Sequence, residues 1–422
     1  MSSDGLIAIR SGSRSTLGLG LFRRAVLAQL RGLRHGGLQL LLGERRLAFG
    51  DPASPLQAEI QVLDDAVWGL IAGNGSIGAG EAYIHGYWRS PDLTAVIRVF
   101  VANLEVLDSM EGGLARLGRP ALRLLHWLNR NSRRGSRRNI TAHYDLGNAL
   151  FERLLDPTMM YSAAMFQHPE QSLEQAQLNK LERICRKLDL QPGDHLLEIG
   201  TGWGSLALYA ASHYGCRVTT TTLSEEQYAH TRHRVEAQGL QGRIEVLRED
   251  YRDLRGRYDK LVSIEMIEAV GHRFLPEYFR RCAALLEDDG LMLLQAITIR
   301  DQRYEQACRS VDFIQRYIFP GGALPSLTAL LQTASRETDL NLLHMEDFGG
   351  HYARTLGHWQ ENLRQSRQAL AQLGYDERFQ RLWEYYLSYC EGGFLERSIG
   401  VAQLLWARPA ARRAPLLEYL DA

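Results

Sequence analysis

The chain has 422 residues, more than one ordinary hydrophobic core accommodates, so two domains or one large domain with an appendage are expected. Apolar residues make up 45% and charged residues 23%, the proportions of a globular protein and not of a disordered or fibrous one. Lys plus Arg and Asp plus Glu number 49 each, so net charge gives no global pull toward nucleic acid, and no nucleic-acid partner is expected.

Cys185, Cys216, Cys282, Cys308 and Cys390 are scattered without a CxxC pair. That argues against a zinc site or disulfide framework and for a reducing compartment, so no metal is expected. No apolar run reaches the roughly 18 residues of a spanning helix, and LGLGLF before Arg23 is too short and glycine-rich for a signal peptide. The expected location is cytoplasmic, at most peripheral to the inner face of a membrane.

Residues 1 to about 48 are basic and leucine-rich, with Leu17, Leu21, Val26, Leu27 and Leu30 at roughly helical spacing: an amphipathic helix or a loose leader. Between residues 47 and 110, LQAEIQVL alternates like a strand, GNGSIGAG reads as a turn cluster and DLTAVIRVFVANLEVL as a helix. Arg10, Arg14, Arg23, Arg24, Arg31, Arg34, Arg45 and Arg46 form one basic cluster; Arg130, Arg133, Arg134, Arg137 and Arg138 form another. These are solvated faces and linkers, or a docking surface for anionic phospholipid. The domain boundary falls near residue 130: a small α+β, lipid-associated amino-terminal domain over 1–125, an arginine-rich linker over 126–138, and a catalytic domain over 139–422.

From Leu173 the pattern is a regular α/β alternation. A helix precedes a strand at 195–199; further strands follow at 217–222, 243–250, 258–267 and 290–298, with helices at 224–239 and 276–286. This spacing calls for a parallel, doubly wound sheet. A helical insertion fills 300–340, NLLHMEDFGGHY supplies a sixth strand and VAQLLWARP a seventh, with two long helices between them.

The stretch DHLLEIGTGWGSLAL at 194–208 reads as strand, tight loop and helix. Gly200, Gly202 and Gly204 let backbone pass close to a ligand at the carboxyl end of the first strand, where open α/β sheets bind nucleotides. The spacing is GxGxG with Glu198 two residues ahead, which resembles the S-adenosylmethionine loop of methyltransferases; a plain glycine turn is the competing reading. The second strand ends at Thr222 and leads to Gln227, whose amide suits ribose hydroxyls unless it is a surface glutamine. The third ends at Asp250 and Tyr251, where an acid can accept the adenine amino proton. The fourth ends in SIEMIEAVG, with Glu265 and Glu268 three apart; a carboxylate there can flank a reacting centre, and one of the two can be only a helix-start charge.

AHYDLGNALFERLLDPTMMYS (142–162), LEIGTGWGSLA (197–207), TLSEEQ (222–227), IEMIEAVG (264–271), YIFPGGALPS (317–326) and YYLSYCEGGF (385–394) together resemble the cyclopropane fatty acid synthases and the related mycolic acid cyclopropane synthases and methyltransferases. The resemblance spans residues 139–408 and implies a seven-stranded, Rossmann-like S-adenosylmethionine methyltransferase fold. It implies cofactor contacts at Tyr161, Ser162, Glu198, Gly200, Thr201, Gly202, Trp203, Gly204, Ser205, Thr222, Gln227, Asp250 and Tyr251. It places catalytic positions at Glu268, Tyr352 and Cys390, and a base site at residues 163, 295, 297 and 317. In the synthases the base site cradles a bicarbonate ion. Here Ala163 stands where the family usually has Cys and Gln295 where it usually has His, which puts bicarbonate in question; Ile297 keeps its backbone amide, and Tyr317 lies nearby.

The implied substrate is an unsaturated acyl chain of a phospholipid at the membrane surface, with a homodimer left open. The alkene attacks the sulfonium methyl and leaves a cation, which aromatic faces such as Tyr161, Phe166, Tyr317 and Tyr352 stabilise; proton loss with ring closure gives a cyclopropane. Cys390 reads as lining the lipid tunnel in preference to acting as a nucleophile, because this alkylation requires no covalent enzyme intermediate. The alternatives are a methylene- or methyl-branched product, a small polar acceptor, and a lipid-binding relative without turnover.

Overall fold

A computed structural model describes residues 16–110 and 147–413. Its contacts divide the chain between Arg119 and Pro120 into two compact units. The expected linker, the arginines at 130–138 and the segment from His143 to Asp145 lie outside the described residues.

The first unit comprises α1 (Thr16–Leu30), β1 (Gly37–Leu42), β2 (Arg45–Gly50), β3 (Gln57–Val62), α2 (Ala66–Ile84), β4 (Trp88–Arg89), α3 (Leu93–Ala102) and α4 (Leu104–Met110). Its sheet runs β2-β1-β3-β4. Val26 and Leu30 of α1 enter the core while Leu21 is exposed, so only part of the expected apolar stripe is buried. The β1–β2 hairpin corrects the reading of residues 1–48 as helix or leader. Leu42 pairs with Arg45 across a two-residue turn in which Gly43 takes a φ of 61°. GNGSIGAG is likewise not a turn between elements but the middle of α2, broken where Gly75 adopts φ 59°, ψ −134°. A Cβ on Gly78 would lie 2.0 Å from the carbonyl oxygen of Leu70, so the glycines let two helical halves approach closely.

The second unit holds α5 (Asn148–Leu154), α6 (Leu173–Leu188), β5 (His195–Ile199), α7 (Ser205–Tyr209), β6 (Arg217–Thr221), α8 (Glu225–Ala237), β7 (Ile244–Leu247), β8 (Tyr258–Ile264), α9 (Leu275–Leu285) and β9 (Leu286–Ile299). After β9 come α10 (Asp301–Arg309), α11 (Phe313–Tyr317) and α12 (Leu327–Glu337), the expected helical insertion. The unit closes with β10 (Asn341–Asp347), α13 (Gly349–Gln365), α14 (Arg367–Gln372), α15 (Glu377–Leu395) and β11 (Ile399–Ala407). The sheet order is β10-β11-β9-β8-β5-β6-β7. β5, β6, β7, β8 and β9 are mutually parallel, and Leu196, Leu197, Leu261, Val262, Leu293 and Leu294 are fully buried, the apolar signature of a sheet covered on both faces. β11 departs from the parallel pattern: it pairs antiparallel with both β9 and β10. It starts opposite the end of β10, the amide of Phe348 donating to the carbonyl of Val401 at 3.0 Å, so α13 to α15 form a return and not a crossover.

Capping fixes the helix starts that matter. Ser172 and Gln175 form a reciprocal capping box on α6, and Ser224 caps α8 immediately after β6. The parallel strand ends therefore meet α7, α8 and the β8 turn along one edge, the cleft of an open α/β sheet.

Candidate active site

Gly200, Gly202 and Gly204 all take positive φ, at 104°, 53° and 85°. Their reasons differ. A Cβ at Gly204 would come within 2.6 Å of Thr231 Cγ2, a packing constraint inside the protein, whereas nothing lies within 4 Å of a Cβ built on Gly202. Gly202 faces open space, as a residue that admits a ligand must. Thr201 and Thr220 hydroxyls lie 2.7 Å apart, and Thr220 donates to Glu198 at 2.6 Å. Burial pushes Glu198 up to about 8, so it is held as a neutral acid near pH 7. The indole of Trp203 is buried against Phe151 and donates to Asn148 at 2.8 Å; its side chain builds the loop's floor. The hydroxyl of Ser205 donates to the carbonyl of Thr158.

At the end of β6, the Thr222 hydroxyl donates to Gln227 Oε1 at 2.8 Å. Gln227 is buried, not a surface glutamine, and with its oxygen engaged its amide nitrogen is the group available to donate to a ligand. Asp250 forms a bidentate pair with Arg252 at 2.6 and 2.8 Å, and Arg252 also lies over the Tyr251 ring at 5.4 Å. The acid expected to face adenine is thus tied to its own neighbour.

The end of β8 carries the densest chemistry. Glu265 takes φ 48°, uncommon for a side chain of its size, and the turn aims its carboxylate at three donors. Oε1 accepts from the Ala163 amide at 3.0 Å and from Gln295 Nε2 at 2.7 Å; Oε2 accepts from the Tyr352 hydroxyl at 2.7 Å. Burial raises its pKa, opposed by these three bonds and by the Lys180 ammonium. One turn on, Glu268 Oε1 accepts from the Ile297 amide at 2.5 Å, while Oε2 is buried with no partner among the described residues. Burial, then the Glu265 charge, pushes Glu268 up to about 8. Lys180, fully buried on α6, donates to Ser162 Oγ at 2.7 Å. Burial lowers it to about 7, with Glu265 and Asp156 opposing.

Aromatic rings wall this centre. Tyr161 lies 5.2 Å from Trp359 and its hydroxyl 2.9 Å from that of Tyr386; Tyr352 stacks on Phe394 at 4.5 Å. Tyr317, expected in the base site, instead packs on Phe313 at 5.2 Å, and the Arg316 guanidinium already lies 5.2 Å from its ring centroid. Phe166 does not join them. Its face is covered by Arg354 at 3.9 Å and by His358 at 5.5 Å, so it is withdrawn from the set of cation-stabilising rings. Burial raises the Cys390 thiol far above its usual range, the opposite of what a nucleophile needs.

Of the expected base-site and catalytic positions, Ala163, Gln295 and Tyr352 converge on Glu265 and Ile297 on Glu268, while Tyr317 contacts Phe313 and Arg316; the bicarbonate implied there does not fit. Three of the donors already hold Glu265. The sequence places Glu265 beside Glu268, and the family resemblance assigns the catalytic role to Glu268 alone; neither points to Glu265 or to Lys180. A signal for the lysine existed: Lys180 and Lys187 lie seven apart and fall by helical period on the apolar face with Ile184 and Leu188.

The open sheet with one antiparallel strand and the glycine loop after β5 define an S-adenosylmethionine-dependent methyltransferase. The chain belongs to the family described as mycolic acid cyclopropane synthetase, whose profile matches residues 131–404. This is a family of S-adenosylmethionine-dependent methyltransferases acting on unsaturated lipid chains. The chain is 41% identical over 357 residues to the tuberculostearic acid methyltransferase UfaA1 of Mycobacterium tuberculosis, spanning 80% of each. It is 36% identical to the cyclopropane-fatty-acyl-phospholipid synthase of Escherichia coli K12, spanning 83% of this chain and 88% of that one. Among solved structures, the mycolic acid cyclopropane synthase CmaA1 complexed with SAH and CTAB is 33% identical, with a TM-score of 0.60 over 64% of this chain and 98% of its own.

Proposed function

We propose that the protein transfers the methyl carbon of S-adenosylmethionine to the double bond of an unsaturated acyl chain carried by a phospholipid, and that Glu265 receives the proton the product must lose. When bound, S-adenosylmethionine supplies a methyl group electrophilic enough for an alkene to attack. The loop from Gly200 to Ser205, with Tyr161, Ser162, Thr222 and Gln227, would hold it, the Gln227 amide nitrogen being a donor suited to ribose hydroxyls. The rings of Tyr161 and Tyr352 would face the positive charge that attack leaves on the acyl chain. Glu265 is oriented by Ala163, Gln295 and Tyr352, and its raised pKa brings its basicity nearer the working pH, as a general base requires.

The observation that carries this reading is the convergence of three cradle donors on a carboxylate belonging to the chain. The test is turnover of unsaturated phospholipid vesicles in buffer stripped of carbonate. Full activity, unchanged by added bicarbonate, is expected; turnover that scales with bicarbonate overturns the assignment of Glu265.

Proton loss from the transferred carbon with ring closure makes the product a cyclopropane. A second reading, proton loss after the cation has shifted, gives a methylene branch. The higher identity to the tuberculostearic acid methyltransferase favours it. The two products have the same mass, and mild catalytic hydrogenation separates them by saturating only the methylene group.

We place the reaction at a membrane surface. Arg24, Arg31, Arg34, Arg45 and Arg46 are exposed on the first unit, and no helix among the described residues is long and apolar enough to cross a bilayer.

A further inference from the structure

Glu265 is the inner end of a row of polar side chains that crosses three neighbouring strands of the sheet. Gln295 on β9 is the register partner of Gln403 on β11, and Gln403 is the register partner of Glu346 on β10. Directly opposite residues on neighbouring strands place their side chains on the same face. Gln295 Nε2 donates to Glu265 at 2.7 Å, Gln403 Nε2 donates to Gln295 Oε1 at 2.9 Å, and Lys187 Nζ donates to Gln403 Oε1 at 2.8 Å and to Glu346 Oε2 at 2.5 Å. Gln295, Gln403 and Lys187 are fully buried; Arg183 closes the outer end by pairing with Glu346 at 2.6 Å.

The row has a direction. An amide has a donor end and an acceptor end, a carboxylate only accepts, and an ammonium only donates. Lys187 therefore dictates that Gln403 turns its oxygen outward, which forces its nitrogen onto Gln295 and, in turn, the nitrogen of Gln295 onto Glu265. Without the ammonium, only an ionised Glu265 still orients the amides; once that carboxyl is protonated it can itself donate, both amides are then free to reverse, and a reversed Gln295 presents its carbonyl oxygen to the proton. Burial lowers Lys187 to about 8, with Glu346 opposing, so the ammonium form persists at neutral pH.

We propose that Lys187 is a positioning residue for the proton-accepting centre: acting through Gln403 and Gln295, it fixes the polarity of the amide row so that Glu265 always meets a donor. The proposal rests on Glu265 being the proton acceptor. The other groups facing that carboxylate are Lys180 from α6, Glu268 from the following turn, Tyr352 from α13 with Cys390 beyond it on α15, and the Ala163 amide; Lys187 itself faces Glu346 and His344 from β10, Gln403 from β11 and Arg183 from its own helix.

The test compares pH profiles of kcat for wild type, Lys187→Met and Gln403→Glu, with Glu265→Gln alongside. Gln403→Glu keeps an acceptor for Lys187 but removes the donor to Gln295. In both variants the acid limb should move up by about one pH unit, because a carboxylate that loses a donor holds its proton more tightly. The dissociation constant for S-adenosylmethionine, measured by titration calorimetry, should stay within about twofold, since the row does not touch the glycine loop. An unmoved acid limb in either variant that retains the wild-type circular dichroism overturns the proposal. If Glu265→Gln retains full turnover, the assignment of the base has failed; if it is inactive while the limb stays put in the other variants, only the role of Lys187 has failed.

Discussion

A carboxylate that accepts hydrogen bonds from a backbone amide, a primary amide and a phenol is held in one rotamer and aimed, which an exchangeable ion would achieve only by being captured. Glu265→Gln should lower kcat by roughly 100-fold or more while leaving S-adenosylmethionine affinity unchanged, read by steady-state kinetics and calorimetry. Glu265→Gly leaves the three donors facing a gap, and added bicarbonate or formate should restore part of the activity in a concentration-dependent way. No recovery with any small carboxylate would mean that the cradle does not act on an anion. Glu198 makes a pH prediction. Its folded pKa is raised from 4.5 to about 8, so between those values the folded state binds more protons than the unfolded one, and stability contributed at low pH is lost as pH rises. Relative to Glu198→Gln, the wild type should therefore lose Tm from about pH 4.5 to about pH 8, and a constant difference across that range would remove Glu198 from the linkage. Ala163 and Gln295 show where residue identity misleads. Both read as losses from a cradle, yet Ala163 contributes a backbone amide that every residue but proline carries, and Gln295 donates through its own side-chain amide.

At the level of elements, strands buried on both faces show as apolar runs in β5 and β9 and as β-branched or mixed runs in β6 and β8, and their alternation with helices is why these four were legible with boundaries close to those observed. The β1–β2 hairpin was not, because its turn is only Gly43 and Glu44 and its outer face carries arginines that match an amphipathic helix equally well. The direction of β11 was illegible for another reason: orientation depends on which end of β10 the helices return to, and no local periodicity encodes that. The glycines of α2 read as a turn because glycine frequency carries no information on whether a chain bends or two helices touch. Gly75→Ala should destabilise the first unit by about 1–3 kcal/mol, since φ 59° with ψ −134° is a conformation essentially reserved for glycine; chemical denaturation of the full chain is the measurement. In the nucleotide loop, Gly202→Val should abolish S-adenosylmethionine binding in a protein that still folds, because its side chain would enter the open space above the loop. Unchanged affinity by calorimetry would displace the cofactor from that position.

For the whole molecule, the proposed chemistry on a phospholipid acyl chain demands that a buried centre meet a substrate dissolved in a bilayer. The exposed arginines of the first unit offer attraction to anionic headgroups, each worth on the order of 1 kcal/mol near the surface. Turnover on anionic vesicles should accordingly fall as salt rises through the range in which the Debye length shrinks below about 10 Å. Equal turnover on neutral and anionic vesicles at every salt concentration would remove electrostatics from the docking step. The backbone at Glu265 carries a further implication. Its left-handed conformation is one that glycine adopts freely and glutamate does not. A glutamate codon lies a single base from a glycine codon, so a lineage can exchange a base carried by the chain for one drawn from solution without rebuilding the loop. On the proposed assignment of Glu265, dependence on dissolved carbonate is thus a trait that a single mutational step at this position can add or remove.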